Sequence, residues 1–171
     1  MDWKLIFVLT AFVIYFVYNA VALSLFGVPK SLSMTFYLFK EKKNWTCIFF
    51  PIMMLTMAGA LLPAWLEISE GSDLQFMAFL AASGILFTGA APAFENSKLE
   101  NNVHMASAIV AAIFALLWVI LVANLWCVIL VWLVAITVVA LLTKSIKTSY
   151  IYWLETIAFL STFTSVFAYF V

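Results

Sequence analysis

Few side chains in this sequence could do chemistry, and most of them stand within or beside long apolar segments. Glu155 lies in "SYIYWLETIAFLSTF", and Glu95 precedes the only histidine, His104, in "FENSKLENNVH". A carboxyl group and an imidazole can act as an acid–base pair when they come within hydrogen-bond reach. Glu155, His104 and Glu95 are therefore the candidate catalytic residues.

Four other polar residues are candidate ligand-binding residues. Asn19 stands in the apolar segment "YFVYNAVA", Ser31 and Ser33 stand in "GVPKSLSMTFY", and Tyr152 precedes Glu155 by about one helical turn. Polar groups in hydrocarbon cost free energy, so they often mark a functional site. The alternative for each is structural, since asparagine in a span commonly bonds neighbouring helices and a buried carboxyl can do the same.

The sequence contains no pattern typical of a metal or cofactor site. Zinc needs three or four protein ligands, and His104, the glutamates, Cys47 and Cys127 show no matching spacing. Nucleotide-binding motifs are not present either. The net charge is zero, which does not favour nucleic-acid binding. We therefore expect no metal, no cofactor and no nucleic acid.

The composition is that of a chain dissolved in a bilayer. Of its 171 residues, 67% are hydrophobic and 9% are charged, whereas a soluble domain carries roughly 25% charged residues. A spanning helix needs about 20 apolar residues. The sequence predicts an all-α fold in which residues 1–171 form one transmembrane domain, a six-helix bundle. The expected spans are 4–26, 45–66, 74–94, 103–122, 125–143 and 149–171, with an interfacial segment at 27–43.

The lysines predict the orientation of this bundle. With six spans and a break in the long apolar run at Asn124, only Lys4 falls on one side, which also has Asp2, Glu67, Glu70 and Asp73. Cytoplasmic loops are enriched in lysine and arginine, so both termini should face outward. The other side receives the remaining lysines: Lys30, Lys40, Lys42, Lys43, Lys98, Lys144 and Lys147.

Two further expectations concern the membrane. The N-terminal apolar segment is too long for a signal peptide, so we expect it to remain as the first span. The absence of arginine and of a targeting signal favours a bacterial plasma (inner) membrane. Tryptophans near the span ends are typical of an aromatic belt at the membrane surface, and these are Trp45, Trp65, Trp126 and Trp153.

Three short motifs carry a resemblance to a known family. They are a proline-serine-x-serine segment with aromatic residues, a later glycine-x-x-proline, and a histidine-x-x-x-alanine that opens the fourth span; here Lys30 separates the proline from the first serine. With them, residues 26–115 resemble six-span bacterial membrane proteins grouped as a domain of unknown function, which are distantly similar to DRAM-type and GPI-lipid-remodelling membrane proteins. The resemblance implies six spans, lipid as a partner and a role for His104 and the serines, but no established activity. The matching residues are Ser31, Ser33, Phe36, Tyr37, Gly89, Pro92, His104 and Ala108.

Three functional hypotheses remain open, and whether the chain is an enzyme stays undecided. The first is a membrane protein with a polar cavity on the cytoplasmic side that binds membrane lipids or a partner membrane protein. The second is an intramembrane lipid-modifying enzyme, with Glu155 and His104 as acid and base and Ser31 or Ser33 as a distant candidate nucleophile. The third is a proton-coupled transporter with Glu155 as the carrier.

Overall fold

The computed structural model describes residues 3–171, so Met1 and Asp2 lie outside the described residues. Every regular element in this range is helical, which confirms the predicted all-α class. A short 3₁₀-helix, Asn44–Ile48, leads directly into the third helix. The seven α-helices are α1 (Trp3–Phe26), α2 (Thr35–Lys42), α3 (Phe49–Ile68), α4 (Phe76–Ala90), α5 (Lys98–Leu121), α6 (Trp126–Leu142) and α7 (Tyr150–Phe170).

The long helices have the length and composition of membrane spans. Four helical segments are long and apolar enough to cross a bilayer: Trp3–Phe26, Asn44–Ile68, Lys98–Leu121 and Tyr150–Phe170. Two shorter apolar helices, Phe76–Ala90 and Trp126–Leu142, lie where the sequence predicted the third and fifth segments. The break predicted at Asn124 is present, and Asn124 itself has a φ of 53°. This helix content is that of a membrane protein.

The connecting segments gather at two ends of the bundle. At one end the Glu95 amide donates to the Tyr37 hydroxyl at 2.6 Å, and Ser149 Oγ donates to the Val28 carbonyl at 3.3 Å. These contacts join the segments 27–43, 91–97 and 143–149. Seven of the lysines lie in these segments or next to them, so we call this end of the bundle the lysine end. Successive long helices therefore run in alternate directions.

The opposite end, which we call the acidic end, is held by two contacts to the last turn of α3. Lys4 Nζ lies 2.5 Å from Glu67 Oε2. Trp118 Nε1 donates to Ser69 Oγ at 2.8 Å. Both contacts join α3 to a neighbouring helix, α1 in the first case and α5 in the second, so all three helices have one end at the same level.

Five helices surround the interior and a sixth lies outside them. α3 packs against α1 and α4, α4 packs against α5, and α7 contacts α1, α3 and α5. α6 packs mainly on α7, and its only fully buried residues are Ile136 and Ala140. Ile129 and Trp132 are partly buried against the core, and most of its other apolar side chains face outward, as expected for a helix surrounded by lipid on most sides.

The closest helix contact depends on Gly84 in α4. A β-carbon at Gly84 would lie 2.6 Å from the Ala111 nitrogen and 2.7 Å from the Ser107 carbonyl oxygen, both backbone atoms of α5. Small residues allow such close approach between membrane helices. Gly89 of the same helix faces α3 instead, where a β-carbon would lie 2.7 Å from Met54 Cβ.

The structure corrects part of the aromatic-belt prediction. Trp45 and Trp126 are each 56% exposed, as a belt requires, but Trp65 is fully buried and Trp153 nearly so. Trp65 lies against Trp118, with ring centroids 6.0 Å apart, because both helices turn these faces inward. A position near a span end therefore did not distinguish an interfacial tryptophan from a core tryptophan.

The segment 27–43, predicted to lie in the headgroup region, contains α2, but its apolar residues pack inward. Leu32, Phe36 and Phe39 are each less than 10% exposed. The Tyr18 hydroxyl of α1 forms a hydrogen bond with Thr35 at the start of α2. The segment is therefore part of the folded core at the lysine end.

Replacing Gly84 by alanine should destabilise the bundle, because its β-carbon would collide with the backbone of α5 rather than with a movable side chain. We expect a loss of about 1–3 kcal/mol in the free energy of unfolding, as for other overpacked sites. Gly59→Ala is the matched control, since nothing lies within 4 Å of that position and alanine favours helix. Thermal unfolding in detergent, followed by circular dichroism, measures both variants. An unchanged midpoint for Gly84→Ala would contradict the close packing.

Candidate functional site

The interior of the bundle contains a pocket between four helices, α3, α4, α5 and α7. The centre of a water-sized sphere can occupy about 50 Å³ of this pocket, and the unoccupied space reaches about 540 Å³ when its open side is included. α5 contributes small residues at successive turns, Ala108, Ala111, Ala112 and Ala115, so this wall is thin. α3, α4, α7 and the turn after α1 supply the other walls: Phe50, Met54, Leu61, Trp65, Ile85, Thr88, Glu155, Ala158, Phe159, Thr162, Leu32 and Ser33.

The pattern of exposure shows where this pocket opens. The lining residues of α3 and α4 are all buried. The partly exposed lining residues belong to α5 and α7 alone. The pocket therefore opens sideways between these two helices, towards the surface that a bilayer would cover. We call this opening the portal, defined by Ala108, Ala111, Ala112, Glu155 and Phe159.

Glu155 lies at the lysine end of the pocket and is held by a backbone group. The Leu32 amide donates to Glu155 Oε2 at 2.6 Å. The turn that presents this amide is closed by Ser31, whose Oγ accepts from the Met34 amide at 3.1 Å. Ser33 is buried, lines the pocket, and lies 3.3 Å from Ser31 between the two hydroxyl oxygens. The predicted residues Glu155, Ser31 and Ser33 thus come together.

The same turn also completes the start of α7. The first amides of a helix have no partner within the helix. Here the Tyr152 amide donates to the Lys30 carbonyl at 3.2 Å, and the Ser149 hydroxyl donates to the Val28 carbonyl. Residues 28–32 therefore accept two hydrogen bonds from the start of α7 and donate one to the Glu155 side chain. Together these bonds fix the position of Glu155.

Within residues 3–171, no basic side chain forms an ion pair with the Glu155 carboxyl group. The one ion pair within residues 3–171 is Lys4–Glu67, at the opposite end of the bundle. No partner is found among the described residues for Glu155 Oε1. A carboxylate removed from water without a cation is costly, so this group needs a proton, water or a cation from outside the protein.

Two further polar groups that line the pocket have no partner among the described residues. They are the Trp65 indole N–H and the Thr162 hydroxyl, and both side chains are at most 2% exposed. Buried polar groups are nearly always hydrogen-bonded, so each exception needs an explanation. A bound molecule or water with an acceptor atom would satisfy both of them.

Asn19 and Tyr152 bond to each other outside the pocket lining. The Tyr152 hydroxyl donates to Asn19 Oδ1 at 3.0 Å, and Asn19 Nδ2 donates to the Tyr15 carbonyl at 2.8 Å. Both residues are buried. This pair joins α1 to α7 in the way that polar residues commonly join membrane helices, so its contacts are those of a structural pair.

His104 is placed apart from Glu155. Its Nδ1 donates to the Ala91 carbonyl at 3.0 Å, and its ring stacks on Phe94 with centroids 4.5 Å apart. His104 is buried but does not line the pocket. No hydrogen bond joins His104 to Glu155 among residues 3–171. These contacts attach the end of α4 to the first turns of α5.

Glu95 lies in the exposed segment next to Phe94. Its backbone amide, rather than its carboxyl group, forms the contact with the Tyr37 hydroxyl. Burial raises the pKa of Tyr37 above its ordinary value, so this phenol stays neutral and accepts the bond. Within the described residues, no three histidine, cysteine or acidic side chains are grouped so that they could hold a metal ion.

Sequence reasoning missed Trp65, Thr162 and the Leu32 amide. Thr162 is buried on α7 with Tyr152 and Ser165, whereas Tyr169 of the same helix is 55% exposed. Nothing in the sequence separates Trp65 from a membrane-surface tryptophan. The Leu32 amide is a backbone group and leaves no signal in residue type.

Comparison with known proteins assigns neither a family nor a function to this chain. The chain matches no family model, no curated protein and no solved structure. The resemblance to the six-span family of unknown function therefore stays a prediction.

Replacing Glu155 by leucine should release the turn at residues 31–34 from α7. The Leu32 amide would lose its acceptor, and a buried unpaired amide costs about 1–3 kcal/mol. We expect amide hydrogen exchange at Leu32 to accelerate by about tenfold, since 1.4 kcal/mol corresponds to a factor of ten. Glu155→Gln keeps an acceptor oxygen and should change exchange much less. Equal exchange in the leucine variant and the wild type would show that this bond does not hold the turn.

Proposed function

We propose that this chain is a six-span integral membrane protein that binds a membrane lipid in the pocket behind the portal. The observation that supports this most strongly is the lateral opening between α5 and α7. An apolar pocket that opens towards the bilayer is reached most directly by a molecule dissolved in the bilayer. Polar groups at both ends of the pocket, Glu155 at one and Trp65 with Thr162 at the other, would orient such a molecule.

The connectivity supports six spans although two apolar helices are short. At 1.5 Å per residue, α4 with 15 residues and α6 with 17 residues are about 22 and 26 Å long. The hydrocarbon core is about 30 Å thick, and bilayers adapt to small mismatches. α3 ends at the acidic end and α5 begins at the lysine end, so α4 must return the chain across the bundle. The same reasoning applies to α6 between α5 and α7.

The lysine end is proposed to face the cytoplasm, with both termini outside. Seven of the eight lysines lie there in sequence segments that contact one another, which is the bias expected for cytoplasmic loops. A bacterial plasma (inner) membrane remains the proposed location. In this orientation Glu155 and the adjoining part of the portal lie in the half of the bilayer nearest to the cytoplasm.

The contacts favour lipid binding over the enzyme hypothesis. An acid–base pair requires Glu155 and His104 to reach one reacting group, but each bonds a different backbone group. His104 also lies outside the pocket lining. The enzyme and transporter hypotheses, and binding of a partner membrane protein, stay predictions without a contact that supports them.

Filling the portal should block lipid entry. The test uses purified protein in nanodiscs that contain a phospholipid with a photoreactive diazirine on its acyl chain. After illumination, mass spectrometry should locate adducts on the buried lining residues Leu61, Trp65 and Thr162. In Ala112→Phe the added ring would occupy the portal, and these adducts should fall by about fivefold or more, since overfilling costs about 1–3 kcal/mol.

Ile113→Phe is the matched control, because Ile113 follows on the same helix but is 49% exposed on the outer surface. It should leave the interior adducts unchanged. Adducts confined to outward-facing residues in the wild-type protein would contradict the proposed function.

A further inference from the structure

We infer that the lipid bound in this pocket carries an ammonium group with N–H donors, and that this group pairs with Glu155. This inference rests on the proposed function and names the class of ligand for the same site. A phospholipid with an ethanolamine headgroup has this chemistry, and its headgroup brings no second carboxylate next to Glu155. The charge of Glu155 and the unpaired hydrogen-bonding groups of the pocket both favour such a ligand.

Glu155 is the sole ionisable side chain among the described residues that line the pocket. One of its carboxyl oxygens accepts a hydrogen bond from the Leu32 amide, and the other has no partner within the described part of the chain. The portal leaves this residue partly exposed on the side where a ligand would enter. An ionised carboxylate in this apolar place is stabilised by a cation in direct contact, and the protein provides none within 4.0 Å among residues 3–171.

The type of cation follows from the free oxygen of the carboxylate. Charge-assisted hydrogen bonds between an ammonium N–H and a carboxylate are about twice as strong as neutral ones. A quaternary choline headgroup has the charge but no N–H donor, and a glycerol headgroup joined to phosphate brings no cation at all. A carboxylate that needs both a donor and a positive charge therefore favours ethanolamine over choline and choline over glycerol.

The opposite end of the pocket fits the same ligand. Glu155 and Thr162 are seven residues apart on one face of α7, a rise of about 10 Å. Trp65 N–H can only donate, and the Thr162 hydroxyl can donate as well. A glycerophospholipid has ester carbonyl oxygens beyond its headgroup, and these acceptors would satisfy both groups while the headgroup amine stays at Glu155.

The experiment compares three photoreactive phospholipids that share one diazirine acyl chain and differ only in an ethanolamine, choline or glycerol headgroup. Each is added to nanodiscs of the same uncharged host lipid around the full-length protein. We expect interior adducts with the ethanolamine lipid to exceed those with the choline and glycerol lipids by about tenfold, the factor given by one charge-assisted hydrogen bond. Glu155→Gln should make the three yields equal while keeping interior adducts.

The possible results separate this inference from the proposed function. Equal interior labelling by all three lipids in the wild-type protein would overturn the ammonium inference and leave lipid binding intact. No interior labelling by any lipid would overturn both. Because the wild-type comparison needs no variant, the inference stays testable even if Glu155→Gln folds poorly.

A competition arm tests whether the amine must belong to a lipid. Glycerophosphoethanolamine, which has the headgroup without acyl chains, should not reduce interior labelling at concentrations where the unlabelled ethanolamine lipid does. Equal competition by the two would show that the site takes a soluble amine, and the lipid assignment would then be wrong.

Discussion

The hydrogen bond from the Leu32 amide to Glu155 is the interaction on which the functional end of the molecule depends. It joins residues 123 positions apart in sequence and ties the turn after α1 to α7. The bonds from Tyr152 and Ser149 to the carbonyls of residues 28–30 complete this connection, so the start of α7 and the turn stabilise each other. Without it, the turn at residues 31–34 would lose its hydrogen bond to the Glu155 side chain, and the carboxyl group would lose its fixed position.

The pocket exists because α5 has small residues on a face that contacts two different neighbours. Towards α4, the backbone at Ser107 and Ala111 meets Gly84 so closely that no side chain fits between the helices. Towards α7, Ala108 and Ala112 meet no such partner, and the missing side-chain volume becomes empty space. The same composition therefore gives close packing on one side and a cavity on the other.

The features that the sequence predicted are those in which polarity or length differs along the chain. Apolar runs located the four long and two shorter apolar helices, Asn124 marked a helix break, and the lysines fall in segments that meet at one end. Glu155, which the sequence singled out as a polar residue in an apolar run, lines the pocket together with Thr162. These predictions succeed because a charged or polar residue in an apolar run has few acceptable positions.

The features that could not be predicted are those that depend on which apolar face turns inward. Lipid tails and a protein core are both apolar, so hydrophobicity does not separate Trp65, which is buried, from Trp126, which is exposed. For the same reason the portal between α5 and α7 has no sequence signal. The pairing of Glu155 with a backbone amide and of His104 with the Ala91 carbonyl also depends on tertiary contacts that residue types do not encode.

The most direct test of the account is whether lipid reaches Trp65, which has no exposed surface. The measurement is tryptophan fluorescence of a variant with phenylalanine at Trp3, Trp45, Trp126, Trp132 and Trp153, reconstituted in ethanolamine phospholipid with or without brominated acyl chains. A partner variant that also lacks Trp65 gives the contribution of Trp118. The account predicts strong bromine quenching of the Trp65 emission and its loss in Ala112→Phe. Trp65 emission that is the same in brominated and unbrominated lipid would contradict a lipid-filled pocket.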